Sequence, residues 1–178
     1  MNLTGTETVL NPDQNTLKDI LSIIRASFPA GWEYDDAGEY YTRMLKEKSS
    51  IHIFLKAGEA GEKRAGYLHA IPHNAAVAEL KDDDPLMRAE EGHAGTYYIE
   101  IVGILPEYRG KNGFSILLEA LKKELQKKGI TKISIHARVS NNLSMAVQRK
   151  LKAAKVRRIE NWAYYNRLEP TDYIEAEW

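Results

Sequence analysis

Pro106-Glu-Tyr-Arg-Gly-Lys-Asn-Gly-Phe-Ser115 is the stretch whose residue types and spacing fit a definite chemical task, holding an anion. It follows an apolar run, Tyr97 to Leu105, and leads into Ile116, Leu117, Leu118, Leu121 and Leu125 at helical spacing, with Glu119, Lys122, Lys123 and Lys127 opposite. The first amides of a helix have no partner inside it, and the helix dipole adds roughly half a positive charge at that end. Gly110 and Gly113 leave the backbone bare for close approach, while Arg109 and Lys111 add full charges. The same residues also suit an ordinary β-to-α turn whose glycines only satisfy φ. They exclude the phosphate loop of NTPases, because no Gly-Lys-Ser/Thr follows.

Three side chains beyond the turn could move a proton. Glu100 is a single carboxylate in the middle of an apolar strand, and burying it would raise its pKa toward the range of a general base. The alternative sets it at a polar edge or against an arginine. His136 lies in Lys132-Ile-Ser-Ile-His-Ala137, on the face opposite Ile133 and Ile135. Its intrinsic pKa suits a base, and a satisfied structural histidine is the other reading. Tyr98 shares a face with Glu100 and could donate a proton. The histidines at 52, 69, 73 and 93 show no ligand spacing with nearby acids, so no metal is expected.

The second half of this region is Ala137-Arg-Val-Ser-Asn-Asn-Leu-Ser-Met-Ala-Val-Gln-Arg-Lys-Leu151. Together with Pro106-Glu-Tyr-Arg-Gly-Lys111 it resembles the two signature segments of the GNAT acyl-CoA N-acyltransferases. In that family a strand–turn–helix bearing Arg/Gln-x-x-Gly-x-Gly/Ala cradles the coenzyme A pyrophosphate. A second strand then leads to an Asn, a small residue three later, and Leu-Tyr-x-Lys-Leu-Gly-Phe. Asn141, Ser144, Val147, Lys150 and Leu151 fall in register with that pattern. The resemblance implies a cofactor site built from Ile104, Arg109, Gly110, Lys111, Asn112, Gly113, Phe114, Ser115, Asn141 and Ser144. It implies an acceptor-substrate loop carrying Trp32 and Tyr34, which could instead only plug the edge of the core. In relatives that modify protein N-termini, a glutamate base occupies the position of His136.

The sequence also departs from the family. Asn112 and Phe114 stand where glycines are usual, and Gln148, which cannot titrate, replaces the common general-acid tyrosine. The closing Leu-Gly-Phe reads Leu151-Lys-Ala. The activity implied is transfer of an acetyl group from acetyl-CoA directly to a primary amine of a small molecule, a lysine or a protein N-terminus. Catalytic candidates are Glu100, His136 and Tyr98. The altered turn and Gln148 keep a second possibility open, a non-catalytic acyl-CoA-binding module of the same fold. The fold implied is α/β, a mixed, mostly antiparallel sheet flanked by helices, with acetyl-CoA between the two motif strands.

The bounds of the chain agree with such a domain. Its 178 residues, 43% hydrophobic and 28% charged, suit one core. Absence of cysteine rules out disulfides and thiol catalysis and fits a reducing compartment. No run approaches a membrane span and no secretory pattern opens the chain, so a cytoplasmic location is expected, with no membrane partner. Net charge is zero but segregated: between Lys111 and Arg158 there are 13 Lys/Arg against Glu119 and Glu124, while Glu79 to Glu100 holds 7 acids against Lys81 and Arg88. The basic half suits a polyphosphate ligand and would also suit nucleic acid. It lacks the interleaved aromatics of a base-stacking surface, so solvated helix faces are expected and nucleic acid is not. A homodimer is possible.

The remaining elements follow from periodicity. An edge strand is expected at Glu7–Leu10, a helix on Leu17, Ile20, Leu21, Ile24 and Phe28, and a second over Asp36–Lys48. Strands at Ser50–Lys56 and Arg64–Ile71 flank a glycine turn. Asn74–Gly95 reads as a long solvated loop, whose acids could attract a cationic amine. Two last strands are expected at Val156–Trp162 and Ala163–Glu169, the latter stopped by Pro170.

Overall fold

The computed structural model describes residues 2–10, 12–28, 36–90, 95–164 and 167–178. Along the chain these form β1 (Leu3–Thr8), α1 (Gln14–Ser27), α2 (Ala37–Met44), β2 (Ile51–Ala57), β3 (Lys63–Pro72) and α3 (His73–Leu80). Then come β4 (Thr96–Ile104), a 3-10 turn at Pro106–Tyr108, α4 (Gly113–Gln126), β5 (Lys132–Arg138), α5 (Leu143–Lys150), β6 (Lys152–Tyr164) and β7 (Arg167–Glu177). The strand order is β1-β2-β3-β4-β5-β7-β6, with β4 and β5 parallel and the pairs β1–β2, β2–β3, β5–β7 and β6–β7 antiparallel. This is the mixed, mostly antiparallel α/β sheet that the sequence implied. The chain clusters into two compact units, residues 1–70 with 101–124 and residues 71–100 with 125–178; the cuts pass through β3, β4 and α4, not through a linker.

In the first unit α1 begins with a capping box. Asp13 accepts from the Thr16 amide at 2.7 Å and the Thr16 hydroxyl accepts from the Asp13 amide at 3.3 Å, which satisfies two donors that the helix start would orphan. Ile20, Ile23 and Ile24 of α1 pack with Tyr41, Phe54 and Tyr67 in one buried cluster. The helix stops at Ser27, and Phe28 is extended, as befits a residue before proline. The first strand starts earlier than expected, at Leu3 rather than Glu7, and ends at Thr8. Leu-Thr-Gly-Thr-Glu-Thr is an edge strand with one covered face, so it carries little hydrophobic alternation to read.

The second unit holds the N-terminal half of β4, then β5, β7 and β6. Two expectations change here. Asn74 to Leu80, expected to open the loop Asn74–Gly95, belongs to the helix His73–Leu80: its alanine-rich sequence favours a helix without giving an apolar stripe. The last strand does not stop at Pro170 but runs from Arg167 to Glu177. The register explains how. Ile159 faces Thr171 and Trp162 faces Glu169, so Pro170 lies opposite a bulge in β6, where its missing N–H breaks no ladder bond.

Candidate functional site

In the first unit, the turn expected to hold an anion is built by the exit of β4. After Leu105 the 3-10 turn ends at Tyr108, and Gly110 and Asn112 take left-handed conformations at φ 73° and 63°. These two reversals set the start of α4, where the Asn112 carbonyl accepts from the Ile116 amide at 3.2 Å. Gly110, Lys111 and Asn112 are exposed, so the first amides of a 14-residue helix follow an open turn. Asn is among the few side-chain-bearing residues that tolerate this φ, which makes the departure from glycine at 112 compatible with the turn.

Two predicted contributors have other duties. The Arg109 guanidinium donates through Nη2 to the Ser27 carbonyl at 2.7 Å and through Nε to the Ile104 carbonyl at 3.2 Å. It ties the end of α1 to the end of β4. Gly113 is not at positive φ. A Cβ there would lie 2.8 Å from Leu55 Cδ2 and 3.1 Å from Ile104 Cδ1, so its bareness serves the seating of α4 on β2 and β4. Ile104 is thus a packing partner of that glycine. Lys111 stands 5.3 Å from the Tyr108 ring centre. Phe114 and Ser115 are half-buried in the first turn of α4, and Asn112 and Ser115 also line a groove of about 410 Å³ with Thr6 and Thr8 of β1.

The second unit brings the proton-moving candidates together with residues that sequence reasoning missed. On one face, the Tyr98 hydroxyl of β4 lies 3.1 Å from His136 Nδ1 of β5. His136 Nε2 lies 3.0 Å from Asp84 Oδ2, and the same carboxylate accepts from Arg157 Nη2 of β6. The imidazole is stacked on Trp162 with centroids 4.1 Å apart and leans on Tyr173 at 5.0 Å. Side-chain exposure is 3% for His136 and 1% for Asp84. Burial pushes His136 down to about 4 although Asp84 pulls the other way, so the ring is neutral. Burial tends to raise Asp84, but the hydrogen bonds from Arg157 and His136 outweigh it and hold the carboxyl below its ordinary value. Burial, with the Glu100 charge adding to it, pushes the Tyr98 phenol well above its usual range.

These protonation states assign the bonds. An ionised Asp84 only accepts, so Nε2 carries the single imidazole proton and Nδ1 accepts from the Tyr98 hydroxyl. Both ring nitrogens of His136 are thus engaged, Nδ1 by Tyr98 and Nε2 by Asp84. Glu100 is half-buried on β4. Asp84 was hidden in Lys81-Asp-Asp-Asp-Pro85, a run that reads as solvated. The readable hint was the apolar pair Leu86-Met87 after it, of which Met87 is buried.

The second motif segment also turns inward. The Ser144 hydroxyl donates to Asp172 Oδ2 and accepts from Gln148 Nε2 at 2.9 Å, while Arg158 Nε donates to Asp172 Oδ1 at 2.5 Å. Ser144 is buried, and Gln148 folds back along its own helix. Exposed Asn141 accepts from the Leu143 amide at 3.0 Å, and Asn142, at φ 62°, stands at the N-cap position of α5 without a side-chain capping bond. The basic run meets acids: Lys155 pairs with Glu175, Arg157 with Asp84 and Arg158 with Asp172. Trp32 and Tyr34 lie outside the described residues. Among the described residues no group of acids, histidines and cysteines could hold a metal ion, and no helix is long and apolar enough to cross a membrane.

The model of the acetyltransferase (GNAT) family matches residues 17–152. No curated protein matches the sequence significantly. Similar solved structures include NAA60 of Arabidopsis thaliana in complex with acetyl-CoA, with a TM-score of 0.67 at 17% identity over 99% of this chain and 98% of that one. The ribosomal-protein-S18-alanine N-acetyltransferase of Escherichia coli gives 0.63 at 14% identity over 96% and 91%. A dodecameric spermidine N-acetyltransferase of Vibrio cholerae gives 0.65 at 14% identity over 98% and 93%. At these identities the likeness is one of fold.

Proposed function

The chain belongs to the GNAT acetyltransferase family, and from that premise we propose that it transfers an acetyl group from acetyl-CoA directly to a primary amine. The observation that carries the reading is the turn at Gly110–Asn112, whose two left-handed residues open onto the N-terminus of α4. Backbone amides of Gly110 to Ser115, with the Lys111 charge beside them, suit a pyrophosphate. Acetyl-CoA, when bound, supplies a thioester carbonyl activated for attack. With no cysteine in the chain, the acceptor amine itself is the attacking group.

An amine arriving as its ammonium must shed one proton to become a nucleophile and a second as the amide forms. Glu100, half-buried on β4, takes the first and passes it to solvent. The Tyr98 hydroxyl, hydrogen-bonded to a neutral His136, accepts the second. Neighbouring structures name acceptors as different as spermidine and an alanine of ribosomal protein S18, so the acceptor class stays at primary amines, small or protein-borne. A non-catalytic acyl-CoA-binding module is favoured by one feature, Gln148 bound to Ser144 in place of a titrating group.

Calorimetry with acetyl-CoA tests the turn. Gly110 has φ 73°, and a Cβ added there would meet nothing within 4 Å, so Gly110→Val strains the turn without crowding the core. A valine relaxes out of that φ, and re-forming the turn on binding costs about 1–2 kcal/mol, a loss of about tenfold in affinity. An affinity unchanged by the substitution would remove this turn from the binding site.

A further inference from the structure

We propose that Asp84 and Arg157 are positioning residues for proton transfer through Tyr98 and His136, Asp84 fixing the ring with its proton on Nε2 and Arg157 fixing Asp84. The proposal rests on the acetyl-transfer reading above and assigns the machinery behind its second proton acceptor. Of three consecutive acids, Asp82 and Asp83 are exposed while Asp84 is turned inside. Both of its carboxylate oxygens are used: Oδ1 accepts from the Leu86 amide at 3.2 Å, and Oδ2 takes His136 and Arg157.

The segment that delivers Asp84 is itself tied down by side chains. His73 Nε2, at the start of α3, lies 2.9 Å from the Arg88 carbonyl, and its Nδ1 lies 2.8 Å from the Ser134 hydroxyl of β5. Asn74 and Glu90 exchange two bonds, the Asn74 amide to the Glu90 carbonyl at 3.3 Å and the Glu90 amide to Asn74 Oδ1 at 2.8 Å. The Thr96 hydroxyl donates to the Glu90 carboxylate. A stretch that reads as solvated loop is thus pinned on both sides of Met87. Burying an ionised carboxylate is costly, and apolar residues of similar volume commonly serve stability as well or better. An ionised carboxylate on Nε2 has a use that no apolar residue can replace.

That use is the choice of tautomer. A neutral imidazole has one proton. If it sat on Nδ1 it would point at the Tyr98 oxygen and block transfer; with it on Nε2, Nδ1 is bare and faces the phenol proton. As the amine nitrogen bonds to the carbonyl carbon, its N–H bond breaks and an O–H bond forms on Tyr98. The former phenol proton passes to His136 Nδ1; the amine lone pair becomes the C–N bond, and the pair of the broken N–H bond stays on nitrogen. The imidazolium is then balanced by the Asp84 carboxylate 3.0 Å away. The C–S bond then breaks with its electron pair on sulfur, and the proton returns from Nδ1 through the Tyr98 oxygen to the departing thiolate. An aspartate plays this orienting part behind the histidine of serine-hydrolase triads.

Nitrogen NMR of the histidine rings, paired with acetyl-transfer kinetics, tests it. The wild type should carry the His136 proton on Nε2 at neutral pH. Asp84→Asn, which can turn its amide group toward Nε2, should shift that proton to Nδ1. The same variant should lower kcat by about 10²–10⁴-fold, with the acetyl-CoA KM unchanged. A wild-type ring protonated on Nδ1, or an Asp84→Asn enzyme with normal kcat, overturns the proposal. Should Asp84→Asn fail to fold, Arg157→Gln decides, since Arg157 is 22% exposed and its loss leaves the His136–Asp84 bond in place. A smaller but clear fall in kcat with KM held is expected there, and a normal kcat overturns the assignment of Arg157. A wild type that transfers acetyl to no amine defeats the functional reading itself, and the ring spectrum then decides the tautomer claim independently.

Discussion

His136 should make the protein acid-sensitive in a defined window. The groups facing its ring are Asp84 from the segment after α3, Tyr98 of β4, Arg157 of β6 and Tyr173 of β7, with His73 and Arg157 opposing a charge on it. Burial takes its pKa from 6.5 to about 4 in the folded state. Below 6.5 the unfolded chain therefore binds a proton that the folded chain does not. Stability is full above that pH, falls between about 6.5 and 4, and levels off below. At ~1.4 kcal/mol per pH unit, the depression amounts to about 3 kcal/mol. Asp84 does not blur the window, because its own pKa is held below 3.8 and its stabilising charge is lost only in stronger acid. Urea unfolding of the wild type and of His136→Gln at several pH values between 7 and 4 isolates the contribution, since the other histidines are common to both. The wild type should lose about 3 kcal/mol more than the variant across that interval. Parallel curves would mean that the imidazole is not held neutral, and the hydrogen-bond assignment to Tyr98 would fall with them.

Other perturbations give sharper local readouts. Gly113→Val should cost about 1–3 kcal/mol of stability by overpacking against Leu55 and Ile104, a fall of a few degrees in melting temperature; a variant as stable as wild type would refute the packing role. Arg109→Met should lose about 1 kcal/mol from its two carbonyl bonds, seen in urea titration, and no loss would show the clamp to be idle. Glu100→Gln should lower turnover at neutral pH by about 10²–10⁴-fold and recover toward high pH, where free amine is abundant; normal turnover throughout would exclude it as the first base. Tyr98→Phe removes the hydroxyl that meets His136 Nδ1, so on the proposed relay its kcat should fall about as far without any high-pH recovery, measured by thiol release.

What the sequence revealed and what it hid divide along physical lines. Helix α1 was readable because its apolar stripe repeats within a few residues. The turn into α4 was readable for the same reason, although the part assigned to Gly113 was not. That it meets Leu55, far away in sequence, is a fact of packing that no local pattern carries. Glu100 and His136 stood out as polar residues in apolar strands, and Tyr98 through the face it shares with Glu100; of these, the strands place Tyr98 and His136 3.1 Å apart. Asp84, Arg157 and Asp172 stayed hidden because charged residues in charged runs look solvated until the register brings opposite charges together. The segregation of acids and bases along the chain is partly explained by these pairings. Pro170 misled in the opposite sense, since a proline stops a strand only where its N–H is needed, and the bulge in β6 removes that need.

Acetyl transfer itself remains the most direct measure. Purified protein incubated with acetyl-CoA and a panel of primary amines, spanning polyamines, lysine peptides and peptides with free N-termini, should release free thiol in step with an acetylated product. At least one class should be turned over well above the rate of thioester hydrolysis. Tight binding of acetyl-CoA with no acetylated product from any amine would contradict the account and leave an acyl-CoA-binding module in its place.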